Sequence, residues 1–218
     1  MAVLNFFEQF YPILFVWFSA AVAAFTLSKK IGFAYRLFCW LIIFLSLMET
    51  IANIIAFNRH RNHFLFNILE PINFFGVSYF FYLVLHDASV KKIIRFFLFA
   101  FPLFTIINVL WLQDFFSLAT NSFVFGGTFV FILSVAYLWQ LYNSNETTSI
   151  FRDPVFWISL AYLFYCAVSV PYLGMLNYLW AKYPRFTTEY YIIVYDGANI
   201  TSKILLTIGF LCMKPKAK

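Results

Sequence analysis

Charged residues punctuate this chain, and between them run seven apolar stretches, each long enough to cross a bilayer. A spanning helix needs about 20 mostly apolar residues, because the hydrocarbon layer is roughly 30 Å thick and a helical residue rises about 1.5 Å. The pattern predicts spans over residues 9–28, 37–58, 64–86, 93–113, 120–142, 154–181 and 189–212. Glu8 and Lys29 bracket the first, Arg36 and Arg59 the second, and Glu189 and Lys214 the last. Lipid offers no partner to an unpaired backbone group, so each stretch is expected to be a helix. None alternates polar and apolar residues over about ten positions, as a membrane barrel strand would. The expected fold is therefore all-α: a polytopic membrane protein whose single domain, 1–218, holds seven transmembrane helices joined by short loops.

Composition strengthens that picture. Apolar residues make up 63% of the chain, against roughly 45–50% in a soluble domain. Under an N-outside orientation ten basic residues fall on the cytoplasmic side: Lys29, Lys30, Arg36, Lys91, Lys92, Arg95, Arg152, Lys214, Lys216 and Lys218. Four fall outside, at Arg59, Arg61, Lys182 and Arg185, while Lys203 lies within the last span. Positive flanks are retained on the cytoplasmic side, so the bias predicts an outer N-terminus and an inner C-terminus. The net charge of +6 then reads as orientation and attraction to anionic lipid rather than nucleic-acid binding, since no basic face lies on a soluble element. The expected location is the plasma membrane, of the bacterial inner-membrane kind. Met1 to Phe10 carries no positive charge, so a cleaved signal peptide is not expected. Asn145-Glu146-Thr147 matches a glycosylation acceptor, yet the orientation places it in the cytoplasm.

Ionisable groups in mid-bilayer cost roughly 2.5–3.5 kcal/mol each, so their retention needs a reason. Glu49, Glu70, Asp196 and Lys203 all lie well inside predicted spans. Glu49 has Asn53 one turn on, Glu70 is flanked by Asn67 and Asn73, and Asp196 is followed by Asn199 and Lys203. Those spacings place each set on one helix face. Counted from the outer ends, Glu49 lies about 13 Å deep, Glu70 about 9 Å and Asp196 about 10–12 Å, with Lys203 about 10 Å deeper than Asp196. Asn108, near the outer end of its span, stands at a similar level. Three polar stripes on apolar helices are best hidden by facing one another. The sequence thus predicts a polar, net acidic cavity in the outer half, built from Glu49, Asn53, Asn67, Glu70, Asn73, Asn108, Asp196, Asn199 and Lys203. Side chains on a helix lean toward its N-terminus, so Lys203 is expected to reach outward and meet an acid. Interhelical hydrogen bonding, worth about 0.6–2 kcal/mol a pair, is the plain structural alternative. Pro71, Pro102 and Pro171 fall inside spans where they would kink a helix, and Gly126-Gly127 and Gly174 would let helices approach closely.

Other chemistries fit less well. Seven-helix zinc hydrolases of the ceramidase-like kind gather several histidines, whereas His60 and His63 flank one loop and His86 lies at the far end of its span. Neither GxSxG nor HExxH occurs. Cys39, Cys166 and Cys212 form no CxxC pair and imply no disulfide framework. Lys203 in the last span is similar to the retinal lysine of microbial rhodopsins. The surroundings depart from that family, because Asp196 stands two turns before the lysine rather than one. Ser169-Val170-Pro171 also replaces a Trp-x-x-Tyr-Pro pattern, and Phe64 rather than Asp follows Arg61 by three. The Pro-Gln pairs of seven-helix sugar carriers do not occur.

By helix count, short loops and the Glu49-Asn53 and Glu70-Asn73 pairs, the whole chain resembles compact stand-alone bacterial seven-helix membrane proteins. It is also similar to seven-helix sensor input modules. The resemblance implies a sensing or accessory role. The resulting expectation is a non-enzymatic, receptor-like or accessory protein that needs no cofactor and binds a small polar ligand or cation. It would signal through a membrane or cytoplasmic protein partner, and the alternatives are a cation-coupled transporter or channel subunit and a retinal photoreceptor.

Overall fold

The computed structural model describes residues 2–58, 62–113, 117–144, 150–184, 187 and 191–214, with side chains from residue 12 in the first helix and from 194 in the last. Arg59, His60, Arg61, Asn145-Glu146-Thr147, Arg185, Glu189, Lys216 and Lys218, named above, lie outside these. The α-helices are α1 (Ala2–Leu27), α2 (Phe33–Phe57), α3 (His63–Val84), α4 (Ala88–Ile107), α5 (Thr120–Tyr142), α6 (Pro154–Gly174), α7 (Leu176–Lys182) and α8 (Gly197–Cys212). Two π-helical segments extend them, Asn108–Leu112 after α4 and Tyr191–Asp196 before α8. No strand is present among the described residues.

Five helices are long and apolar enough to cross a membrane: Phe33–Phe57, His63–Val84, Ala88–Leu112, Thr120–Tyr142 and Pro154–Gly174. Their outward faces are apolar. Along α4 and its π-helical extension, Ile93, Phe96, Phe99, Leu103, Ile106 and Leu110 are all exposed, at spacings of three and four that form one stripe. Trp40, Phe44, Leu47, Ile51 and Ile54 make a matching stripe on α2. Continuous exposed stripes of this size exceed what a water-soluble monomer carries and require an apolar solvent. The chain is a multi-pass membrane protein.

Neighbouring elements close a ring. α1 packs on α2, α2 on α3, α3 on α5, α5 on α6, α6 on α8, and α8 on α1. α4 lies outside that ring, against α3 and α5. Aromatic contacts fasten it to α5: the Phe97 ring lies 3.7 Å from Phe129 and 5.8 Å from Phe125, centroid to centroid. The α3–α5 contact depends on a missing side chain. A Cβ on Gly126 would stand 2.5 Å from Phe74 and 2.8 Å from Phe101, both fully buried.

Element ends differ from the predicted spans at α1, which begins at Ala2 rather than 9, at α2, which begins at Phe33 rather than 37, and in three further places. α4 starts at Ala88, because the Asp87 carboxylate accepts from the backbone N–H groups of Ser89 (2.7 Å) and Val90 (3.0 Å) and caps the helix. Lys91, Lys92 and Arg95 therefore lie within helix, since charge marks the edge of the hydrocarbon and not of the helix. The predicted span 154–181 breaks at Met175, whose φ of −96° and ψ of −1° turn the chain after Gly174, a poor helix former. Before α8 the chain winds as π-helix rather than α-helix.

Candidate functional site

The ring encloses a cavity of about 1080 Å³. At one end its walls include the exposed residues His63 and Trp180 together with Gln113 and Asn177. At the other end it stops on Ile42 and Leu206, each 1% exposed. Beyond that floor Phe38 packs against Phe80, Phe210 and Tyr162 at centroid distances of 4.7, 5.9 and 6.3 Å. The cavity is blind, and it opens at the end carrying the connections α2–α3, α4–α5 and α6–α8.

Six of the sequence-predicted site residues on three helix faces reach this space, as does Asp196 at the end of a π-helical segment. Glu49 and Asn53 come from α2, Glu70 and Asn73 from α3, Asp196 from the segment before α8, and Asn199 and Lys203 from α8. Lys203 Nζ stands 3.8 Å from Glu49 Oε2, with side-chain exposures of 13% and 23%. Asn199 Nδ2 donates to Glu49 Oε1 at 3.2 Å, so one carboxylate receives a cation and an amide from successive turns of one helix. Asn53 turns instead to its own helix, donating to the Glu49 carbonyl at 2.8 Å. Across the cavity Asn73 is a hydrogen-bonding neighbour of the Glu70 carboxyl, and its Oδ1 accepts from Tyr162 OH at 3.1 Å. Glu70 Oε2 is buried and has no hydrogen-bond partner among the described residues. Asp196 lines the cavity half-buried and does not cap α8 with its side chain.

Two predicted members stand apart from the cavity. Asn67 faces the segment before α5, donating to the Ser117 carbonyl at 2.7 Å and accepting from the Ala119 N–H at 2.8 Å. Helical spacing puts Asn67 beside Glu70, but the rotation of α3 aims it at the α4–α5 connection. Asn108, fully buried, donates to Gln113 Oε1 at 3.0 Å and Ser122 Oγ at 2.9 Å, and accepts from Asn121 at 3.2 Å. α4 lies outside the ring, so Asn108 serves the α4–α5 junction.

Three tyrosines complete the site without having been singled out. Tyr162 and Tyr165 are on α6, one turn apart, and Tyr165 OH lies 3.1 Å from Tyr195 OH. Their signal was present in principle, because a tyrosine in a span must find a partner for its hydroxyl. Fourteen tyrosines hide which ones matter. His63 stands at the rim, while His86 bonds Gln140 at the opposite end, Nδ1 to Nε2 at 3.0 Å. Among the described residues no group of three or more His, Cys, Asp or Glu could hold a metal. Cys39, Cys166 and Cys212 are free thiols. Comparison with known proteins finds no matching family, no similar curated protein and no similar solved structure.

Proposed function

We propose that this is a non-enzymatic, receptor-like or accessory membrane protein of seven spans that holds a small polar ligand or cation in the blind cavity. One observation carries the reading: three carboxyls and one amine converge on a single large space that ends on Ile42 and Leu206, above a packed aromatic layer. Helix glue alone needs polar pairs in direct contact, as at Asn108, and no enclosed volume of about 1080 Å³. Pockets that bind organic ligands run about 300–1,000 Å³. With the N-terminus outside, as the ten-to-four basic bias favours, the mouth faces outward. Occupancy would brace α2, α3, α6 and α8 against one another and bias their packing. The effect would pass to a membrane or cytoplasmic partner through the basic inner loops. A plasma membrane of the bacterial inner kind is the compartment this reading assigns.

The test is a ligand panel of alkali cations, amines, amino acids and sugars against the purified protein in lipid nanodiscs, read by thermal unfolding. A ligand that raises Tm in the native protein and not in Glu70→Gln/Asp196→Asn supports the reading. Steady flux of that ligand into sealed proteoliposomes would replace it with transport.

A further inference from the structure

Glu49 already has a cation and an amide, at 3.8 and 3.2 Å. One lysine offsets one carboxylate, and two others line the same space. The Asp196 side chain makes no hydrogen bond or ion pair among the described residues. Glu70 keeps an oxygen that is buried and has no hydrogen-bond partner among the described residues, and an orphaned buried acceptor is costly, more so when charged. Such an atom calls for a donor. A bare metal ion does not answer, because a hard divalent ion takes about six oxygen ligands and no cluster of that kind exists among the described residues.

The rest of the lining is apolar and aromatic. Leu69, Phe123, Leu173 and Leu176 line it with Tyr165 and Tyr195. Tyr165 and Phe123 meet edge to face at 6.1 Å, and Tyr165 lies within electrostatic reach of Glu70. The arrangement therefore offers an acceptor oxygen, a second carboxylate, aromatic rings and apolar walls. Resting on the binding reading above, we infer that the ligand is an organic ammonium that keeps at least one N–H and carries an apolar or aromatic body. The N–H donates to the Glu70 carboxyl, which lines the cavity, the charge is shared with Asp196, and the body fills the space against Leu69, Leu173 and Leu176. A quaternary ammonium satisfies the charge and the ring faces, yet it brings the Glu70 carboxyl no N–H donor.

The experiment uses the full chain in lipid nanodiscs and three probes of one shape: 2-phenylethylamine, its N,N,N-trimethyl derivative and 2-phenylethanol. Binding is read by intrinsic fluorescence, since Trp180 borders the cavity, and by the rise in Tm. The primary amine is expected to bind at least tenfold more tightly than either analogue. Glu70→Gln is expected to cost the amine at least tenfold while leaving 2-phenylethanol unchanged. Equal binding of all three probes, or of none, overturns the inference. Should Glu70→Gln fail to fold, the three-probe comparison on the unaltered protein decides by itself. If these probes fail while a sugar, amino acid or alkali ion of the broader panel binds, the cavity-binding reading stands and the ammonium assignment falls.

Discussion

At the Lys203–Glu49 contact two opposite charges stand 3.8 Å apart inside apolar helices, each still partly accessible through the cavity. Breaking a fully buried pair costs about 3–5 kcal/mol because one charge is left without compensation. Access to the cavity lowers that cost here. Lys203→Ala is expected to destabilise the protein by about 1–3 kcal/mol, by the orphaned-charge penalty, with Lys203→Arg recovering part of it. Lys203→Ala/Glu49→Gln should regain most of the loss, because the stranded charge is gone. Thermal unfolding in detergent measures all three. Retinal attachment would turn this nitrogen into a Schiff base, yet the residues around Lys203 depart from the rhodopsin pattern at Asp196 and at Ser169-Val170-Pro171. Added retinal is therefore expected to give no visible absorption band, and a band lost in Lys203→Ala would make the protein a photoreceptor. Tyr162 makes a parallel demand, since Tyr162→Phe removes the donor to Asn73. The expected cost is about 0.6–2 kcal/mol, the range of interhelical hydrogen bonds in membranes.

Between elements, small residues and amides decide how the helices meet. Gly126 lets α5 approach the fully buried rings of Phe74 and Phe101, on α3 and α4. A methyl group there forces two packed rings to move, and overpacking of this kind costs about 1–3 kcal/mol. Gly126→Ala is expected to lower Tm and loosen α4 first, seen as faster hydrogen exchange around Phe97 and Phe101. Asn67 acts on another junction, holding Ser117 and Ala119 before α5 through both ends of its amide. Asn67→Ala leaves the Ala119 N–H without its partner, an expected loss of about 1–3 kcal/mol. Because Asn67 faces away from the cavity, affinity for any cavity ligand should stay within about twofold of the native value while Tm falls. A larger loss of affinity would return Asn67 to the binding site.

For the whole molecule the open question is which way the mouth faces. Single cysteines in a Cys212→Ala background test it at exposed positions. With the N-terminus outside, Asn58→Cys should react with an impermeant thiol reagent on intact cells. Ser89→Cys and Ser144→Cys should react only after lysis. The reverse pattern would turn the cavity toward the cytoplasm.

Much of the architecture was legible in the residues. The bilayer demands apolar runs of set length, so composition and charge spacing alone predicted helices close to α2, α3 and α5. Side-chain period likewise predicted which polar residues share a face, as for Asn199 and Lys203 on Glu49. Helix ends were harder, because Asp87 and Gly174 act through local backbone geometry that charge spacing does not report. What only the tertiary structure decided is the rotation and order of the helices. Asn67 and Glu70 lie one turn apart, yet a rotation of α3 points one at Ser117 and the other into the cavity. Asn108 follows the C-terminal end of α4, but α4 packs outside the ring and takes it to another network. In a uniformly apolar solvent no hydrophobic gradient dictates which helix neighbours which, so that choice rests on packing at positions such as Gly126 and Phe97.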